Sequence, residues 1–440
     1  MGIIAVLITF YSTLYSTRLI FPNEEYNSKL TALFNSQLIE TQVTKRTPTG
    51  WLADSATECL TLGVGSQKTQ KAADVFLDQW NTPVGDYNPC KGLAMSSGFL
   101  AKDYETASYA RYWHGHAIVT QWILLTIGLP NLKNLIWAIN IILIFYLGLI
   151  LSLTKMKNRF ALLGVSLMGP YFLFSDQAEL HNSITHLYSS IALMLTCVLF
   201  LRNYEKDSIA QLRLGTILGS LYCFFLFGLS PQSIPIAIIS WAGIFLIFNK
   251  VSLKIVVKKI LLFFSGWIFG YLSTFITKWV IVGLLTDFPI WENAKAQLIH
   301  RSSQTSSALS DGVGVHLLFA RDFPAFIQSW IANLSTFMIH LLDPRYSNLV
   351  LIFLVAGFFA SVLTFLVIKF IKGWKINDPL TRNLLALNSA SLFFLLIWYA
   401  GLAQHSYDHA TYTFRSIPIW FGGIFASLVL MSKRFNQTKS

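Results

Sequence analysis

Residues 134–154 read NLIWAINIILIFYLGLILSLT and contain no charged side chain. A helix of about 20 apolar residues is long enough to cross the hydrocarbon core of a bilayer. Backbone groups in that core must find their hydrogen-bond partners within their own segment, so a helix is the expected spanning element. Residues 134–154 therefore predict a transmembrane helix.

The rest of the chain has the composition of a membrane protein. It is 54% hydrophobic and 12% charged over 440 residues, with a mean hydropathy of +0.54, whereas soluble domains are roughly 25% charged. Apolar runs of similar length recur, so we predict an all-α, polytopic membrane protein with about ten transmembrane helices. The predicted spans are 2–20, 134–154, 160–175, 183–201, 212–229, 233–249, 260–283, 347–371, 383–402 and 416–432.

The basic connections between the spans predict their orientation. Residues 155–159 (KMKNR), 202–207 (RNYEKD) and 250–259 (KVSLKIVVKK) are short and basic, as cytoplasmic connections usually are. With these inside, we expect a multi-pass protein whose active face is extracytoplasmic, which in a bacterial inner membrane is the periplasmic side. The predicted order is a first transmembrane helix (1–20), a periplasmic loop with an interfacial helix (21–133), a transmembrane bundle (134–283), a second periplasmic loop (284–346), and C-terminal transmembrane helices with a cytoplasmic tail (347–440).

Charge and histidine placement narrow the class of partner. The formal net charge of +12 suits anionic lipids and lipid phosphates. The chain shows no basic soluble module with interleaved aromatic residues, so no nucleic-acid partner is expected. All nine histidines lie on or close to the predicted outer side, which indicates that the outer face carries the function.

Residues 107–116 (ASYARYWHGH) concentrate polar and aromatic groups before an apolar stretch. We predict that 109–129 forms a helix in the membrane interface, where Arg111 would share a face with His114. Arginine can hold a phosphate through two parallel hydrogen bonds, so both residues are candidates for binding a phosphate group. A full span at 109–129 and a plain interfacial anchor are the alternatives. The neighbouring candidates for substrate contact are Tyr109, Trp113 and His116.

The first outer loop contains a candidate catalytic acid and a candidate disulfide. Asp54 follows Trp51 and Leu52, an apolar setting that raises the pKa of a carboxyl towards the range of a general base. The alternative is that Asp54 caps the helix that follows it. Cys59 and Cys90 lie in the same loop, in an oxidising compartment, and a bond between them would stabilise it by roughly 3 kcal/mol.

Two further outer segments carry candidate ligands. Residues 175–186 hold Asp176, Glu179 and His181, which could contact substrate or hydrogen-bond with their neighbours. Arg415, at the outer end of the last span, is a second candidate for binding phosphate. Cysteine and histidine spacings typical of metal sites are lacking, so we predict neither a metal nor another cofactor, although a divalent metal is not excluded.

The block SYARYWHGH, preceded by WLADS (51–55) and YNPCKGL (87–93), resembles a family of bacterial multi-spanning proteins that share a YARYWHG block. The resemblance covers roughly residues 50–130. In architecture this family resembles the GT-C glycosyltransferases, and most closely lipid-linked arabinofuranosyltransferases, including those that modify type IV pilins. Asp54 matches the family's loop acid, and Arg111 with His114 falls in the block. His116 stands where the family pattern has Tyr.

The resemblance implies a glycosyltransferase that takes its sugar from a polyprenyl-phosphate donor. The sugar would be arabinofuranose, and the acceptor a hydroxyl group of a protein such as pilin or of an envelope glycan. Asp54 would deprotonate that hydroxyl, and cationic side chains would hold the lipid phosphate as it leaves.

Two other classes stay open at the level of sequence. A transporter or lipid flippase would carry ionisable groups at mid-span and often paired half-repeats, but the spans here are almost free of charge. Lys278 lies late in its span. An O-antigen polymerase or ligase would usually place its large outer loops in the second half of the chain, whereas the largest here comes first.

Overall fold

The computed structural model describes most of the chain as helices, with one small sheet. The described residues are 2–41, 55–66, 72–84, 88–152, 161–175, 183–225, 231–302, 324–342, 379–403, 406 and 413–437.

The described helices are numbered here in chain order. They are α1 (Gly2–Leu19), α2 (Asn23–Asn35), α3 (Ser55–Gly63), α4 (Pro89–Ser96), α5 (Gly115–Ile127), α6 (Leu129–Ser152), α7 (Ala161–Phe174), α8 (Ile184–Asn203), α9 (Ser208–Phe225), α10 (Ser233–Phe248), α11 (Leu253–Leu285), α12 (Ile290–Ser302), α13 (Ala325–Leu342), α14 (Pro379–Gly401) and α15 (Ser416–Gln437). A 3₁₀ helix covers Ala72–Leu77, and the strands are β1 (Gln79–Pro83) and β2 (Tyr104–Ser108).

Five of the described helices are long and apolar enough to cross a membrane, by length and composition. They are α6, α8, α9, α11 and α14. The predicted helical class is therefore confirmed, whereas the count of ten spans stays a prediction. The predicted span at 347–371 lies outside the described residues. Residues 284–346, predicted as a loop, contain the helices α12 and α13.

Helices α9 and α11 pack at backbone distance and meet through glycines spaced four residues apart. Gly215 and Gly219 face α11, and Gly266 and Gly270 face α9. A Cβ atom added at any of the four would lie 2.1 Å from a carbonyl oxygen of the other helix. Small residues at this spacing let two apolar helices approach at backbone distance. This contact fixes α11 in the bundle, and α11 carries part of the site described below.

The described residues between the first helix and α6 are folded, and the predicted single helix over 109–129 is wrong. β2 ends at Ser108, residues 109–114 form an irregular segment, and α5 begins only at Gly115. β1 and β2 pair antiparallel, with Gln79 opposite Ser108. The pairing holds the start of this segment to the sheet, so its helical spacing is lost. At about 20 Å, α5 is too short to cross a bilayer core.

A disulfide and a buried cluster hold this folded segment on the bundle. Cys59 of α3 is bonded to Cys90 of α4, and both are buried among apolar residues of α2, α5 and α6. Gly92 of α4 lies so close to β1 that an added Cβ would be 2.0 Å from the carbonyl oxygen of Asn81. The sheet, α3 and α4 therefore form one packed unit.

The second half of the bundle packs around Trp241, which is fully buried in α10. Its indole Nε1 donates to the carbonyl of Ile419 in α15, 3.1 Å away. Its ring meets Tyr171 of α7 edge-on. A single π-helical turn at Ile238–Ala242 interrupts α10 at this point. The core here is apolar and connects α7, α8, α10, α14 and α15.

Candidate functional site

The main polar feature is a buried group of charged side chains from three parts of the chain, which we call the Asp78 cluster. Asp78 follows the 3₁₀ helix, and Oδ2 of its carboxylate accepts a hydrogen bond from Lys278 Nζ of α11 at 2.8 Å. Its Oδ1 accepts one from Arg18 Nη2 of α1 at 3.2 Å. His114 Nδ1 lies 3.2 Å from Oδ2. The side chains of Asp78 and Lys278 are 0% exposed, so water does not screen these contacts.

The cluster carries more positive than negative charge. Burial alone raises the pKa of the Asp78 carboxyl, but the neighbouring Lys278, His114 and Arg18 together bring that pKa well below its usual range. Asp78 is therefore ionised. Burial lowers the pKa of His114 and outweighs the attraction of Asp78, so its imidazole is neutral. Two cations thus face one carboxylate, inside a wall that includes the rings of Phe76 and Trp113.

Arg18 packs against a turn at Gly65 whose backbone conformation favours glycine. Gly65 has a φ of +65°, and a Cβ there would lie 1.7 Å from Arg18 Nη1. The same Nη1 donates to the carbonyl of Val64 at 2.7 Å. Glycine adopts this backbone conformation without steric cost, so the end of α3 and the end of α1 come together over the guanidinium.

The segment 109–114 is fixed to α11 by two indole hydrogen bonds. Trp113 is fully buried, and its Nε1 donates to the carbonyl of Thr274 at 2.7 Å. Trp279 Nε1 donates to the carbonyl of Arg111 at 3.0 Å. Trp113 is thus a packing residue of the bundle.

Arg111 itself points to a second, half-buried group that we call the arginine–tyrosine site. It consists of Tyr109, Arg111, Tyr112 and Arg301. The guanidinium carbon of Arg111 lies 5.1 Å from the ring centre of Tyr109 and 5.8 Å from that of Tyr112. Arg301 of α12 lies 5.6 Å from the Tyr112 ring, so two guanidinium groups meet at one tyrosine. Arg111 Nη1 also donates to Asn293 Oδ1 of α12 at 2.5 Å.

Both groups lie near one end of the long helix α11. Lys259 and Lys278 are separated by 19 residues of helix, about 28 Å at 1.5 Å per residue, and the stretch between them carries no charge. That is close to the roughly 30 Å thickness of a bilayer core. If α11 spans the membrane, Lys278 lies at the boundary of the core, and Trp279 and Arg111 lie at the level of the lipid headgroups.

The predicted substrate contact His116 lies inside a network of hydroxyl groups. Its Nε2 is 3.2 Å from Thr61 Oγ1 of α3, and Thr61 is 3.0 Å from Thr185 Oγ1 of α8. Burial is the main cause that lowers the pKa of His116 to about 3. The imidazole is neutral and is 4% exposed, which indicates a role in joining α3, α5 and α8.

Arg415 lies in another part of the bundle. Its Nε donates to the carbonyl of Ser175 after α7 at 2.8 Å, and it is 8% exposed. Arg111 contacts α11 and α12 instead. Arg111 and Arg415 are two of the three predicted phosphate ligands, and their described contacts share no helix.

The remaining predicted residues lie outside the described part of the chain. They are Asp54, Asp176, Glu179 and His181. Among the residues that are described, no group of histidine, cysteine and acidic side chains is arranged to hold a metal ion.

Sequence reasoning missed Arg18 and Asp78 and gave Lys278 little weight. Arg18 and Lys278 had a usable signal, because an ionisable residue within an apolar span is a functional candidate by default. Asp78 had none, since a single acid between short elements resembles any loop residue.

No family model, curated protein or solved structure matches this chain.

Proposed function

We propose that this protein is a membrane glycosyltransferase that takes a sugar from a polyprenyl-phosphate donor and transfers it to an acceptor hydroxyl on the outer face. The observation that carries the proposal is the pair of half-buried guanidinium groups, Arg111 and Arg301, at the Tyr112 ring. None of the described ion pairs involves Arg111. Its charge is therefore open to an anionic ligand at the level where lipid phosphates lie.

The charge balance of the whole region favours a phosphate. Arg18 and Lys278 exceed Asp78 by one positive charge, and the half-buried Arg111 adds a further cation. A region of one sign beside a low-dielectric wall attracts an ion of the opposite sign. Planar guanidinium groups bind phosphate oxygens with paired hydrogen bonds. The phosphate charge grows as the sugar leaves, and cations there stabilise the transition state.

The transfer needs one further group, for which we propose Asp54, the residue directly before α3. Its carboxylate would take the proton of the acceptor hydroxyl. The oxygen would then attack the anomeric carbon as the bond from that carbon to the phosphate oxygen breaks. The polyprenyl phosphate would leave with the bonding electron pair, held by Arg111. The donor would be arabinofuranose-linked, and the acceptor a protein such as pilin or an envelope glycan.

The proposal is tested with purified protein in liposomes that contain a polyprenyl-phosphate-linked arabinofuranose and an acceptor peptide or glycan. We expect transfer by the wild type and a loss of at least a hundredfold in Arg111→Ala and in Asp54→Asn. Lys295→Ala is the matched control, because Lys295 is an exposed cation on α12 that lies outside the arginine–tyrosine site. Full activity in Arg111→Ala would refute the phosphate role, and no transfer by the wild type with any polyprenyl-linked sugar would refute the proposal.

A transporter or lipid flippase is a second candidate, and the Asp78 cluster is the observation that favours it. Buried ionisable groups between two apolar helices are typical of ion-coupled pathways. The cluster lies near the end of α11 and not at its middle, which favours the transferase. Uptake of a solute or translocation of a labelled lipid by proteoliposomes, without transfer of any sugar, would support this second function.

A further inference from the structure

We propose that Asp78 is a positioning residue for Arg111, so that the buried cluster sets the geometry of the arginine–tyrosine site. The Leu77 carbonyl accepts a hydrogen bond from the Tyr109 amide at 3.0 Å. Oδ2 of Asp78 lies 3.2 Å from His114 Nδ1. Two adjacent residues therefore contact both ends of the segment 109–114.

The middle of that segment is held to the same helix that supplies the lysine. The indole of Trp113 bonds to Thr274, and Trp279 bonds to the Arg111 carbonyl. Lys278 lies between these two contacts on α11 and bonds to Asp78. The ion pair thus holds the Leu77–Asp78 turn against the same stretch of α11 that anchors Arg111. Arg111 can meet Asn293 and Tyr112 as observed only while this register holds.

The contact between Asp78 and Lys278 specifies one register of the Leu77–Asp78 turn on α11 because it is an ion pair. A buried ion pair adds little net stability over a well-packed apolar pair, because desolvation cancels much of the attraction. A carboxylate with partners from α1, α11 and the His114 turn can satisfy them in one arrangement only. Asp78 also has a φ of +46°, a conformation that costs least for Gly, Asn and Asp.

The test replaces the pair by neutral residues so that the protein still folds. Asp78→Asn keeps the backbone preference and an amide oxygen that can accept from Arg18, and Lys278→Met removes the second of the two cations that Asp78 pairs with. In this double variant we expect backbone amides of 109–114 to exchange hydrogen at least tenfold faster. We also expect the affinity for farnesyl phosphate in detergent micelles to fall about tenfold.

A double-mutant cycle separates positioning from general damage. If Asp78 acts through Arg111, the double variant should change farnesyl phosphate affinity less than twofold in an Arg111→Ala background. Equal losses in both backgrounds, or unchanged amide exchange, would overturn the proposal. The control is Glu58→Gln with Lys133→Met, which removes a partly exposed ion pair elsewhere in the chain, with an O to N distance of 2.7 Å. It should leave farnesyl phosphate affinity and exchange at 109–114 unchanged.

This inference rests on the proposed function only for the choice of phosphate probe. If no sugar is transferred but the cycle holds, the transferase proposal fails and the positioning role stands. If sugar is transferred but the affinity losses of the double variant and of Arg111→Ala are additive, the positioning role fails and the transferase proposal stands. If the wild type does not bind farnesyl phosphate, amide exchange in the double variant still decides whether Asp78 orders the segment.

Discussion

The Asp78 cluster and the arginine–tyrosine site are built from the same kinds of side chain but differ in their access to water. In the cluster, Arg18 and Lys278 are buried and bonded to one carboxylate. In the site, Arg111 and Arg301 are half-buried and stack near a tyrosine. A buried charge must be paired to be tolerated, whereas a half-exposed one can exchange water for a ligand. The first group is thus expected to hold structure, and the second to bind.

The largest expected effect is the loss of the carboxylate in the cluster. Asp78→Ala leaves Lys278 and Arg18 buried without their counterion, which typically costs about 3–5 kcal/mol. Thermal unfolding in detergent should show a lower midpoint and a reduced yield of folded protein. Adding Lys278→Met should recover part of the loss. If Asp78→Ala is as stable as the wild type, the buried cations of the Asp78 cluster do not need their counterion. The cluster would then not differ from the arginine–tyrosine site in this respect.

Removing the disulfide should have the next largest effect. Cys59 and Cys90 are 31 residues apart, and the chain-entropy relation for a loop of this size predicts a loss of about 3.5 kcal/mol. A variant with both cysteines replaced by serine should unfold at a lower temperature. Because the arginine–tyrosine site contacts α11 and α12, farnesyl phosphate affinity at a temperature where the variant is folded should stay within a few-fold of wild type. A selective loss of affinity would show that the site depends on α3 directly.

Replacing the half-buried arginines should affect binding and leave stability nearly unchanged. Arg111→Ala or Arg301→Ala removes a charge-assisted hydrogen bond of about 1.5–3 kcal/mol, so farnesyl phosphate affinity should fall roughly 10- to 100-fold. Arg111→Lys should recover only part of it, since lysine lacks the planar pair of donors. Both quantities can be measured on the same preparation by titration and thermal unfolding. A large drop in the unfolding midpoint with unchanged affinity would reverse the roles assigned to the two groups.

The smallest expected effect is on the pH dependence of stability. The folded-state pKa of His116 is about 3, whereas an unfolded histidine titrates near 6.5. The unfolded chain therefore binds a proton first, and stability present above about pH 6.5 is lost as the pH falls towards 3. The slope is about 1.4 kcal/mol per pH unit for one such group.

The measurement is the free energy of unfolding at pH 7.5, 6.5 and 5.5. Between the last two values, His116→Asn should lose about 1 kcal/mol less than the wild type. His300→Asn, at an exposed position on α12, is the control and should keep the wild-type slope. An unchanged slope in His116→Asn would mean that His116 is accessible to protons in the folded protein, as the arginine–tyrosine site is to ligands.

Whether the sequence pointed to a residue of the candidate site depended on whether a local pattern marks that residue. Arg111 was found because an arginine among aromatic residues before an apolar run is a local pattern. His114 was assigned to the phosphate on helical spacing, and it is instead buried against Asp78 because β2 and the turn after it replace the helix. Asp78 and Lys278 are 200 positions apart, and no local pattern connects them.

The sequence by itself determined that this chain is helical and apolar, because the length and hydropathy of each run depend only on neighbouring residues and on the solvent they require. It also identified the cysteine pair and the segment around Arg111 as features of one region. Only the tertiary structure decided which charges are buried together and which stay open to a ligand. That choice depends on how α1, α11 and the Asp78 turn pack, since desolvation and pairing energies arise only when distant groups are brought into contact.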